Sequence, residues 1–322
     1  MKKIAYLSWY PNDASAFYRT AGVFPYINHP DIELTNISTL PNLSSISLLP
    51  YDVVIFQRPA ENHHLSAIKA AKDAGCKVIS DFDDDVLHLD SLNPMVDFLN
   101  ASKQNIIDSL ILSDEVWVGT AECKKAYRLY NNNIYVFPNA HNDYLWSEDP
   151  KFEYNKKAMF RGGFSHEGDM YALGIPELVL ELVNGNPDWT FYFYGQRFKY
   201  LEIRYKYRNW VRNDGASTVQ FYKMMHLEHP CAFFYPLATT VFNKGKSSCS
   251  WLEATYSGAA YFGNTDLPQF QLPGIKHISE MNHCIDYPEI LEDMWQKSWE
   301  HIKENYMLSH VNKGRVERLL AI

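Results

Sequence analysis

Short apolar runs alternate with stretches of helical period along most of the chain. Residues 4–10 predict a strand, and 52–57 (Asp-Val-Val-Ile-Phe-Gln) predict a short strand buried on both faces. Residues 64–74 have helical spacing and stop at Gly75, and a strand over 77–80 runs into the acidic segment 81–85. A helix follows over 94–113, a strand over 115–118, a helix over 121–130 and a strand over 134–137. Strands separated by helical segments predict a parallel, doubly wound sheet.

Periodicity fades over 138–150, where Asn, His, Asp and Pro accumulate, and a domain boundary is expected there. The alternation then restarts. Strands are predicted over 159–161, 191–194, 219–221, 232–235 and 259–262, with helices over 171–183 and 248–257 and one long helix over 289–306. Gly185, Gly195, Pro236 and Gly258 mark the stops. The predicted fold class is α/β: two doubly wound domains facing a cleft, with ligands at the carboxyl ends of the strands. A length of 322 residues fits two domains at roughly 150 residues each.

Composition adds exclusions. Hydrophobic residues make up 46% and charged residues 21%, which rules out disordered and low-complexity classes. The net charge of −8 argues against a surface that coats nucleic acid as a whole. No stretch is long and apolar enough for a membrane span, and no signal-peptide pattern opens the sequence, so a cytoplasmic location is expected. The five widely spaced cysteines form no CxxC pair and suggest neither a zinc site nor a disulfide framework.

The most informative segment is Phe242-Asn-Lys-Gly-Lys-Ser-Ser248, followed by Trp251-Leu-Glu-Ala254 and Gly258-Ala-Ala-Tyr261. A small, polar loop bearing Lys246 leads into a helix, whose free N–H groups favour an anion. Glu253 lies about a turn and a half further on, where a carboxylate can hold a pair of sugar hydroxyls. Phosphate at the helix start and ribose at the glutamate is the footprint of a nucleotide. A surface helix capped by Ser247 or Ser248 fits the composition equally well. The spacing is not that of a P-loop.

With its Leu-Glu-Ala and Gly-Ala-x-Tyr sequels, this run resembles the donor-site signature of GT-B glycosyltransferases, and more narrowly the glycosyltransferase family 4-like group. Other landmarks fall in the family's order: Phe17-Tyr-Arg19, Asp81-Phe-Asp-Asp-Asp85, Val136-Phe-Pro-Asn139, Phe160-Arg-Gly-Gly-Phe-Ser-His166 with Asp169, Phe193-Tyr-Gly195 and Phe234-Tyr-Pro-Leu237. The resemblance implies two Rossmann-like domains and a C-terminal helix that crosses back to the first. The expected division is an acceptor-side domain over 1–145, a nucleotide-sugar-binding domain over 146–304 and the returning helix over 305–322. It also implies a hexosyl- or pentosyltransferase that moves sugar from a UDP- or GDP-sugar to a saccharide or glycan hydroxyl, with retention and without a required cofactor or metal. Gly162, Gly163, Ser165, Asp169, Gly195, Asn243, Lys246, Ser247, Ser248 and Glu253 are the expected donor-binding residues, with His166 and Lys246 also at the chemistry. Many retaining members carry an acidic residue eight positions before the helix glutamate. Here that position is Gly245, which leaves Asn243 or Lys246 to serve the sugar.

The acidic run has two readings. Asp-x-Asp after a strand can hold Mn²⁺ under a diphosphate, but a second-domain nucleotide site makes that clamp redundant. Asp83 and Asp84 are instead candidates to bind or deprotonate the acceptor hydroxyl. Tyr18 and Arg19 are candidates for the acceptor side. Arg58 and the pair His63-His64 also lie past a strand end, and a His pair on an exposed helix start is more often structural than catalytic. Residues 197–212 hold six basic residues and one acid, with five aromatics interleaved. Arg197, Lys199, Arg204, Lys206 and Arg208 there suit an anionic acceptor or peripheral contact with a membrane surface. They also support the alternative of a phage-type enzyme that glycosylates hydroxymethylated pyrimidines in DNA. A non-catalytic nucleotide-sugar-binding protein is the third reading.

Overall fold

The computed structural model describes residues 1–322 apart from 12, 41–42, 163–166 and 196–217. Eleven strands are present among the described residues: β1 (Lys2–Ser8), β2 (Ile32–Asn36), β3 (Val53–Gln57), β4 (Lys77–Phe82), β5 (Glu115–Val118), β6 (Ile134–Val136), β7 (Lys157–Gly162), β8 (Thr190–Gly195), β9 (Ala232–Tyr235), β10 (Ala260–Gly263) and β11 (Ile275–His277). They form two sheets, ordered β2-β1-β3-β4-β5-β6 and β11-β10-β9-β7-β8. Every pairing is parallel. Each sheet has the doubly wound order expected of alternating strands and helices.

The inner strands are buried on both faces because helices cover both, so β3 and β5 are apolar throughout their middles. Local chemistry sets the helix ends. The helix Asn62–Asp73 starts at a capping box between Glu61 and His64. It closes ahead of Gly75, whose φ of +80° only glycine adopts without strain.

The structure departs from the sequence expectations at several elements. Residues 219–221 are not a strand. They belong to a helix, Thr218–Glu228, whose buried Phe221, Tyr222 and Met225 recur at helical spacing. The helix expected over 94–113 is two, Val96–Ala101 and Lys103–Leu112. The one expected over 171–183 is also two, Glu167–Ala172 and Ile175–Gly185, broken at Gly174 with φ +62°. Edge strands β2 and β11 carried no clear pattern in the sequence.

The long helix Pro288–Asn305 packs Trp299 and Ile302 into the core of the second sheet. At Tyr306–Met307 the chain crosses back, bridged to His141. The last helix, Leu308–Ala321, inserts Leu308, Val311 and Leu319 among Ile4, Tyr6, Val53 and Trp117 of the first sheet. Lys2 Nζ donates to the Leu319 carbonyl at 3.0 Å and fastens that helix to β1. No helix among the described residues is long and apolar enough to cross a membrane.

Candidate functional site

The carboxyl ends of the two sheets meet around a cavity of about 320 Å³. The first sheet contributes Arg58 beyond β3, Asp83 and Asp84 beyond β4, and Asn139 beyond β6. The second contributes Arg161 in β7, Tyr235 in β9 and the loop leading into the helix Cys249–Tyr256.

Glu253 lies fully buried in that helix. Its Oε2 pairs with the guanidinium of Arg161, and its Oε1 accepts from the Tyr18 hydroxyl at 2.9 Å. The Tyr18 hydroxyl also lies 3.0 Å from that of Tyr222. Burial pushes the Glu253 carboxyl up, while Arg161 and the Tyr18 hydroxyl pull it back. Arg161 is held from its other side by the ring of Phe221, 4.6 Å from its guanidinium carbon.

Lys246 reaches across the cleft to Asp84 at 3.4 Å, with its ammonium 4.6 Å from the centre of the Phe242 ring. Burial raises the Asp84 carboxyl, Lys246 lowers it, and Asp83 raises it again. Burial would also raise Asp83, but Arg58, the Ser15 hydroxyl and Arg19 outweigh it and hold that carboxyl below the usual range. Asp83 therefore stays ionised. Its Oδ1 is buried and has no hydrogen-bond partner among the described residues. Arg58, which pairs with Asp13 at 2.7 Å, has a φ of +47°, a conformation that costs a non-glycine residue energy and clusters at functional sites.

Of the four acidic side chains of the run Asp81-Phe-Asp-Asp-Asp85, Asp83 and Asp84 share the cavity, and each of the four has a partner of its own. Asp81 pairs with Arg19, Asp83 with Ser15, Asp84 with Lys246 and Asp85 with His88. Ser247 is tied to the first domain by Asn139 Nδ2 at 2.9 Å. Ser248 is the N-cap of the helix Cys249–Tyr256 but makes no side-chain cap bond, so the first N–H groups of that helix are not taken by its hydroxyl.

Other expected residues sit apart from the cavity. Arg19 is fully buried, donating to Asp81 through Nε at 2.6 Å and Nη2 at 2.8 Å, and to the Phe137 carbonyl and Asn139 Oδ1. Its charge is spent inside the first domain. Asn243 and Asp169 are both buried and bonded to each other at 2.9 Å, joining two helices. Gly162 has a packing reason to be glycine, since a Cβ would meet the Phe160 ring at 2.6 Å. Gly195 stands opposite Gly162 in register at the end of β8. Gly163, Ser165 and His166, and the basic stretch with Arg197, Lys199, Arg204, Lys206 and Arg208, lie outside the described residues.

No protein-family model matches the chain, and no curated protein does. Solved structures do. A mutant form of S. aureus TarM with fondaparinux, α-GlcNAc-glycerol and UDP superposes at a TM-score of 0.60, with 15% identity over 83% of this chain and 55% of that one. The pneumococcal O-GlcNAc transferase GtfA with UDP and GlcNAc gives 0.55, with 12% identity over 86% and 59%. An α,α-trehalose-phosphate synthase (UDP-forming) from Burkholderia vietnamiensis gives 0.57, with 8% identity over 100% of both chains. All three are GT-B structures.

The chain has the GT-B fold. It spans little more than half the length of TarM and GtfA.

Within this GT-B cleft, Gly245 is closed against the first domain. A Cβ there would lie 2.8 Å from Asp85 Cβ. Its carbonyl accepts from the Thr120 hydroxyl at 2.9 Å and the Cys123 thiol at 3.1 Å. The carboxylates in this part of the GT-B cavity come from the first domain, at Asp83 and Asp84. Of the two residues expected to compensate for Gly245, Lys246 lines the cavity and Asn243 is committed to packing. Sequence reading missed Arg58, Asn139, Arg161 and Tyr235 as cavity residues. Arg161 and Tyr235 carried a usable signal, because both stand at the carboxyl end of a buried strand.

Proposed function

We propose that the chain transfers a glycosyl group from a nucleotide-activated sugar to a hydroxyl of a saccharide acceptor. One observation carries this reading. A single cavity brings two cations and an uncapped helix start from the second domain against two carboxylates from the first. Two of the structural neighbours are complexes with UDP and the third is a UDP-forming enzyme, which supports a UDP-sugar as donor.

In this reading the diphosphate lies against Lys246, Arg161 and the start of the helix Cys249–Tyr256. The ribose hydroxyls take the place of Tyr18 or Arg161 at Glu253. As the bond from the anomeric carbon to the diphosphate breaks, negative charge grows on the leaving oxygen, and these fixed positive groups stabilise it without needing a metal. The acceptor oxygen bonds to the anomeric carbon from the face that the diphosphate leaves, which retains configuration, and its proton passes to the leaving phosphate. Asp83, ionised and with Oδ1 unpartnered, receives the acceptor hydroxyl as a hydrogen bond.

A thermal-shift panel of UDP- and GDP-sugars tests the reading, since a ligand of the folded state raises the melting temperature by mass action. At least one donor should shift it and then be slowly hydrolysed. A shift without hydrolysis would leave a non-catalytic binder, and no shift with any donor overturns the reading.

A further inference from the structure

Asp84, Arg58 and Lys246 also line a second, larger cavity of about 480 Å³, which neighbours the first across these residues. These three supply charge to its lining, and Asp13, Glu61, His64 and Asn93 add further polar groups. Its apolar lining comes from Val86, Leu89, Met95, Phe98 and Leu99 of the first domain, with Phe242 of the second beside Lys246. Phe98 is 49% exposed and Met95, beside it, is 39% exposed. Large apolar side chains beside a concave space are a binding surface more often than an accident of folding.

We propose that this second cavity is an acceptor subsite for a saccharide joined to an apolar alkyl or aryl group. The hydroxyl end faces Asp84 and Arg58, which also line the donor cavity beside Asp83. The apolar group lies against Phe98, Leu89 and Leu99. A bare polysaccharide matches the polar groups but leaves the apolar lining in contact with water, so the observations favour the apolar-tailed acceptor. The identity of the hydroxyl end rests on the glycosyl-transfer reading, whereas the apolar subsite stands on its own lining.

The test compares n-octyl β-D-glucoside, below its micelle concentration, with methyl β-D-glucoside by isothermal calorimetry, beside a separate UDP titration. The octyl compound should bind at least about tenfold tighter, since each buried methylene adds to affinity. Phe98→Asp and Met95→Asp, both at exposed positions, should each remove most of that preference. Equal binding of the two glucosides, or a preference that survives in both variants, overturns the proposal. An octyl preference in a protein that binds no UDP leaves the subsite standing and counts against the glycosyl-transfer reading instead.

Discussion

The hydroxyl of Tyr18, in the first domain, donates to the carboxylate of Glu253, in the second, at 2.9 Å, and both side chains are buried. The two domains thus meet through the residue expected to hold the donor ribose. Replacing Tyr18 with Phe removes this hydrogen bond and the one shared with Tyr222. A buried carboxylate that loses a donor costs about 1–3 kcal/mol. Urea unfolding of Tyr18→Phe should show that loss.

Arg19 forms a bidentate pair with Asp81 in the interior of the first domain. Breaking a buried pair from one side leaves the other charge uncompensated, at about 3–5 kcal/mol. Arg19→Met should be destabilised by that amount. If the variant folds with unchanged stability and loses only acceptor binding, Arg19 serves the substrate rather than the fold.

Gly245 has no room for a side chain, because Asp85 Cβ of the opposite domain already occupies the space. Gly245→Ala must push the domains apart or shift the loop ahead of Lys246. Overpacking of this kind costs about 1–3 kcal/mol. Chemical denaturation should show the loss, and small-angle scattering should show a wider domain separation.

Much of this arrangement was legible in the sequence. The inner strands, buried on both faces, stood out as continuous apolar runs, as Val53-Val-Ile-Phe did. Glu253 and Lys246 stood out because a polar loop leads straight into an apolar helix. The rest was hidden for physical reasons. Edge strand β2 is half exposed, so its run Ile-Glu-Leu-Thr-Asn has no continuous apolar signature. Val219-Gln-Phe221 looked like a strand because three residues are too few to set a period, and only Tyr222 and Met225 complete the helical face. Arg19, Asn243 and Asp169 have site-like chemistry. Their burial, Arg19 against Asp81 and Asn243 against Asp169, is tertiary information that no local pattern carries.

His64 and His141 are both held neutral, with burial as the main cause pushing each down to about 4. Above the ordinary histidine value of 6.5 both the folded and unfolded chains are neutral, so stability is unaffected. As pH falls from 6.5 towards 4 the unfolded chain takes up protons that the folded chain refuses, and stability is lost, by about 2 kcal/mol per histidine at pH 5. The buried carboxyls of Asp81, Asp84 and Glu253, raised by burial, act in the opposite sense. The difference between wild type and His141→Gln across pH 7 to 5 isolates the imidazole. Wild type should lose more stability than the variant over that interval, and parallel pH profiles would contradict the assignment.

The central claim is that Lys246 and Glu253 belong to one nucleotide site in the cleft, and UDP titration by isothermal calorimetry tests it most directly. Wild type should bind UDP. Lys246→Ala and Glu253→Gln, a substitution that keeps shape at the buried position, should each lose at least about tenfold in affinity, worth about 1.4 kcal/mol, while still unfolding cooperatively. If both variants bind UDP as tightly as wild type, the donor site lies elsewhere and the account fails.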